Sequence, residues 1–190
     1  MPEGTVDWYQ IAKVVHFMGL IALFGFFVIY ARAGANLRAS TTLNDARAWL
    51  RMLESTKGML PGGAGMFLVS GVAMTAMRWR GPYPFVTIGL VVLLTLWIVG
   101  TLVGSRHLRS MRGAVGDAEG TAPANVRRVI LDPAAWGTIA TLNGATLGVL
   151  FVMTTKVGWA AAIAIVVGLA ALVGAVFTSS VRRQRAGIVA

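Results

Sequence analysis

Lys13-x-x-His16 lies inside the first apolar run, YQIAKVVHFMGLIALFGFFVIYA, and a second histidine, His107, stands in GTLVGSRHLRSMR at the far end of the third. A histidine in hydrocarbon is costly and marks a functional site by default. Spaced i, i+3, Lys13 and His16 share one helix face. The chemistry this pair offers is an axial haem ligand, a metal ligand or a proton relay. The structural alternative is a histidine that hydrogen-bonds a neighbouring helix while Lys13 snorkels to the headgroups. Two histidines on one cofactor would make a haem or metal protein, so their relative placement decides the reading.

The elements that must position them are membrane helices. The chain has 190 residues, 56% hydrophobic and 13% charged, with mean hydropathy +0.72. A soluble domain is about a quarter charged, so the apolar excess here must face lipid. Five runs approach the roughly 20 residues that cross a bilayer: about 8–31, 59–77, 85–104, 134–155 and 159–178. Only helices satisfy the backbone of such lone segments in lipid. The expected fold is all-α, a single transmembrane domain over 1–190, a polytopic bundle of five spans. The start carries Glu3 and Asp7 and no base before Lys13, unlike a secretory signal, so the first span is read as retained.

Charge orients the bundle. Of the 17 Lys and Arg, thirteen fall in segments 32–58 and 105–133 and in the tail. Lys13, Arg78, Arg80 and Lys156 fall on the other side. The positive-inside rule then places the N-terminus outside and the C-terminus inside, in a bacterial inner membrane. It also accounts for the net charge of +10 without a nucleic-acid partner. Trp8, Tyr9, Trp79, Tyr83 and Trp159 form an outer aromatic belt. Membrane lipids, other membrane subunits or further copies of the chain are the expected partners.

The basic segments carry structure of their own. In the 42–57 segment Leu43, Ala46, Leu50 and Leu53 recur at helical spacing beside Trp49. They predict an amphipathic helix on the inner leaflet or a cytoplasmic start to the second span, with Thr42 and Asn44 as candidate N-caps. The third span is expected to run on to Gly116. GDAEGTAPA reads as a flexible turn, and Asp132-Pro133 as an N-cap followed by proline at the first helical position.

With these spans, His16 lies roughly 12 Å deep from the outer side, and His107 lies at or beyond the inner end. Their axial separation is on the order of 20 Å or more, so they cannot share an iron or a metal. His107, between Arg106 and Arg109, is expected to be a solvated interfacial residue. Other ligands are few. No carboxylate lies in a span and there is no cysteine, which excludes thiolate sites and disulfides. Met18, Met59, Met66, Met74 and Met77 suit Cu(I) or a sixth haem position, or plain packing. No P-loop, H-E-x-x-H or G-x-S-x-G pattern occurs.

Small residues recur at four-residue spacing: Gly100 and Gly104; Ala140, Gly144 and Gly148; Ala164 and Gly168. Such stripes let membrane helices approach closely. Asn143, with Thr138, Thr141 and Thr146, offers interhelical bonding or the lining of a pore or pocket.

KVVHFMGLIALFG, LVSGVAMTA, RHLRSMRGAV and VLFVMTTKVGWAAAIAIVVG resemble a family of bacterial integral-membrane proteins of unknown function. More distantly, the first span is similar to those of HemJ-type protoporphyrinogen oxidases and CopD-type copper-resistance proteins, which begin a helical bundle with a histidine. The HemJ resemblance implies haem binding at His16. The lysine that the HemJ type carries in its third span has no counterpart here. The leading expectation is a non-enzymatic membrane protein, a subunit or anchor of a larger assembly. The alternatives are a b-haem redox protein using His16 with Lys13 beside it, and a small transporter or channel lined by Asn143.

Overall fold

The computed structural model describes residues 7–78 and 83–187. Helix α1 (Trp8–Ala39) begins where the Asp7 carboxylate accepts from the amides of Tyr9 and Gln10. Helix α2 (Leu43–Ser55) is capped by Thr42, whose hydroxyl oxygen accepts from the Asp45 amide at 3.2 Å. Asn44 instead accepts from Arg47 at 2.8 Å. After one turn the chain enters α3 (Met59–Arg78). Helix α4 (Pro84–Val115) runs on to Gly116 as expected and stops there, where φ is 52°, a value an L side chain rarely adopts. A short α5 (Ala124–Ile130) precedes α6 (Pro133–Thr155), which opens as expected with Asp132 accepting from the Ala134 amide and Pro133 in the first turn. Helix α7 (Trp159–Ala186) completes the chain.

Among the described residues, five segments are long and apolar enough to cross a membrane: Trp8–Ala39, Leu43–Arg78, Pro84–Val115, Ala124–Thr155 and Trp159–Ala186. Their outward faces stay apolar, with Ile21, Val69, Ile98, Phe151 and Val167 all more than half exposed. In water these faces would be an aggregation liability; in a bilayer they are ordinary. Trp8, Tyr83 and Trp159 are exposed at the end opposite α2 and α5, and Arg78 lies 5.2 Å over the Tyr9 ring there. Trp79, Arg80 and Glu3 lie outside the described residues.

Glycines set how closely the helices pack. A Cβ at Gly19 of α1 would lie 2.7 Å from the Phe67 nitrogen of α3, and one at Gly63 would lie 3.1 Å from the Ala22 Cβ. Between α6 and α7, a Cβ at Gly144 would lie 2.5 Å from the Leu169 oxygen, and one at Gly148 would lie 2.7 Å from the Val166 Cα. Thr178 sits over Gly137 and Thr141 over Gly174. Backbone contact of this kind is how helices associate where lipid removes the hydrophobic drive. Ala164 and Gly168, expected to form a third such stripe, instead face outward, and nothing lies within 4 Å of a Cβ at Gly168.

At the basic end two expectations are corrected. Of the two readings of α2, the inner-leaflet one is overturned: Leu43, Ala46, Leu50 and Leu53 are buried in the bundle's own core, and α2 with α3 forms the second membrane-length segment, Leu43–Arg78. The segment read as a flexible turn is pinned. Leu43 donates to Gly120 O at 2.9 Å and Ala122 to Thr41 O at 2.8 Å. Arg47 donates to Gly116 O and Ala118 O. The mechanism is saturation of loop carbonyls by a fixed guanidinium fork.

Candidate functional site

His16 is half-buried against α3. Its ring stacks on Phe67 at 3.8 Å, and its Nδ1 lies 3.1 Å from Phe67 O and 3.2 Å from Ser70 Oγ. A carbonyl only accepts, and the Ser70 hydroxyl already donates to Met66 O. Nδ1 therefore carries the proton, and in the neutral ring Nε2 keeps its lone pair. This tautomer suits a ligand whose other nitrogen is fixed by a backbone carbonyl, and equally a clamp between α1 and α3. Lys13 is exposed one turn earlier. Among the described residues no group of three His, Cys, Asp or Glu side chains could hold a metal.

The structure corrects the sequence reading of His107. It is 5% exposed, not solvated, and meets Trp136 edge-on at 5.5 Å. Arg106 and Arg109 are exposed on two faces of α4 while His107 and Leu108 between them are buried. Trp136 is the hub of the basic end. Its indole N–H donates to Ile130 O at 2.7 Å. Arg38 lies 4.6 Å over its ring and 4.7 Å over Phe177, and Tyr30 packs beside it at 5.8 Å. Gly34 admits the indole edge, since a Cβ there would fall 2.6 Å from it. Arg38 is about 22 residues from His16 along α1, roughly 33 Å. The two histidines thus stand at opposite ends of the bundle.

A cavity of about 300 Å³ opens between α1, α2, α3, α4 and α6. That volume is at the lower end for small-molecule sites. Its deep wall is apolar: Phe26, Phe27, Leu60, Leu96 and Leu142. Tyr30, Thr101 and Ser105 follow toward the basic end, Asn143 stands beside Leu142 on the apolar side, and the mouth carries Lys57, Arg109, Arg112 and Glu54. Glu54 pairs with Arg112 at 3.5 Å, so the mouth keeps an excess of two positive charges. The Tyr30 hydroxyl is buried with no hydrogen-bond partner among the described residues, a condition that costs about 1–3 kcal/mol.

The expected site residues therefore separate. Asn143 lines the cavity. Gly100 and Gly104 line it too and do not bring two backbones together: the nearest atom to a Cβ at Gly100 is Leu60 Cδ2 at 3.5 Å, and nothing lies within 4 Å at Gly104. Gly144 and Gly148 face α7. Thr141 and Thr146 return their hydroxyl protons to their own helix. Sequence reading missed Tyr30, Arg38 and Trp136; the one available signal was Trp136 itself, a tryptophan far from the outer belt. No family model, curated protein or solved structure matches the chain.

Proposed function

We propose that this is a non-enzymatic, multi-pass protein of a bacterial inner membrane, with its basic end in the cytoplasm, and that it holds a single-chain acidic amphiphile in the cavity. The observation that carries the reading is the polarity gradient of the wall. An acyl chain fits among Phe26, Leu60, Leu96 and Leu142, and an acidic head reaches the charge excess at Lys57, Arg109 and Arg112. Asn143 adds one polar contact within the apolar part of the wall.

Native mass spectrometry of the protein in non-ionic detergent, titrated with oleate, tests this. One oleate should bind per chain, and the Arg109→Gln/Arg112→Gln double variant should bind roughly thirtyfold more weakly, at about 1 kcal/mol for each base. Oleyl alcohol, with the same chain and no charge, should bind much less well. Equal affinity for the alcohol would remove the acidic head from the proposal.

A second reading rests on the His16 tautomer, which leaves Nε2 available to the iron of a b haem. His16 fits as one ligand, and haem would supply redox chemistry there. The primary reading expects no Soret band after reconstitution with haem. A band that is present in the wild type and absent in His16→Ala would favour the haem reading instead.

A further inference from the structure

Helix α4 presents a second basic face, turned away from the cavity. Arg106, His107 and Ser110 line a cleft of about 530 Å³ with Arg128 of α5, Asp132 and Thr138 at the start of α6, and Arg185 of α7. An adjoining cleft adds Arg182 and Thr178 around the same Asp132. The Asp132 carboxylate is engaged as the cap of α6. The single ion pair among the described residues joins Arg112 to Glu54 at the cavity mouth. Arg106, Arg128 and Arg185 are thus concentrated around one carboxylate that pairs with none of them.

The second observation is His107 in the wall of this cleft. Its side chain is only 5% exposed, and its Nε2 is buried without a hydrogen-bond partner among the described residues. A buried ring nitrogen left unsatisfied is uncommon in a native fold and calls for a partner. Val103, Val129, Ala134 and Ala135 complete the wall. The cleft combines a small apolar shelf with several guanidinium forks suited to a phosphate.

We propose that this cleft binds the phosphate of an anionic phospholipid headgroup from the leaflet at the basic end, through Arg106, Arg128 and Arg185, with the buried His107 forming part of the wall behind them. Basic pockets between membrane helices recognise such headgroups. The site is independent of the cavity, because α4 serves the two from opposite faces.

The test is native mass spectrometry of the full chain in non-ionic detergent, titrated with phosphatidylglycerol, phosphatidylcholine and inorganic phosphate. Phosphatidylglycerol should bind more tightly than phosphatidylcholine. Both Arg128 and Arg185 are exposed, so Arg128→Gln/Arg185→Gln leaves the packing intact and should weaken phosphatidylglycerol binding roughly thirtyfold. Arg109→Gln/Arg112→Gln should leave it unchanged while weakening oleate, which separates this proposal from the cavity. Unchanged phosphatidylglycerol binding in Arg128→Gln/Arg185→Gln, or equal affinity for phosphatidylcholine, would overturn the inference. Displacement of the lipid by millimolar inorganic phosphate alone would overturn the lipid assignment in favour of a free-phosphate site.

Discussion

Gly144→Leu should separate α6 from α7 and cost about 3 kcal/mol of stability. A Cβ at this position would lie 2.5 Å from the Leu169 oxygen and 3.0 Å from the Ala170 Cα. Both are backbone atoms, so no rotamer change relieves the clash, and the helices must move apart. That motion also withdraws Val166 from Gly148 and disturbs the satellite core of Val149, Val152, Ala162 and Val166. Overpacking in a close-packed interior costs about 1–3 kcal/mol, and this position has backbone on its far side. Gly168→Leu is the matched control: it adds the same atoms where nothing lies within 4 Å and should shift stability by no more than about 0.5 kcal/mol. Unfolding in detergent, followed by loss of monodisperse protein on heating, reads both. Equal losses in the two variants would contradict the assignment of the α6–α7 interface.

Trp136→Ala should be the most damaging single truncation at the basic end. Trp136 is 2% exposed and touches groups from four helices: Tyr30 and Arg38 of α1, His107 of α4, Ile130 of α5 and Phe177 of α7. Removal of a buried tryptophan costs about 3–5 kcal/mol through lost contact and the cavity left behind. Here it also leaves the Arg38 guanidinium with Phe177 as its single aromatic face and strands the Ile130 carbonyl. Trp136→Phe separates these effects. It keeps an aromatic face for Arg38 but loses the bond to Ile130 O, and should cost less than the alanine variant. Thermal unfolding of the two variants beside the wild type measures the difference. Equal losses would mean that the hydrogen bond, and not the ring, holds the basic end together.

The spans were legible because hydrocarbon imposes a length and a helical backbone on any lone apolar segment. The caps at Thr42 and Asp132 were legible because side-chain chemistry and position agree there. Helix rotation was not. Gly100-x-x-x-Gly104 and Gly144-x-x-x-Gly148 are the same pattern, yet the first lines a cavity and the second meets a neighbouring backbone. A small residue permits approach without saying which face is approached. His107 was misplaced for the same reason: its charged neighbours on α4 describe their own faces and not the one between them. The pinned segment after Gly116 rests on Arg47, 69 residues away from Gly116 in sequence, and no local composition reveals a tie of that range.

The central claim is that the cavity is a binding site, and Gly104→Leu tests it most directly. Nothing lies within 4 Å of a Cβ at Gly104, so the side chain enters the cavity without forcing the helices apart. The protein should keep its wild-type unfolding temperature and lose the single bound oleate seen by native mass spectrometry. Wild-type oleate binding in a folded Gly104→Leu protein would contradict the account.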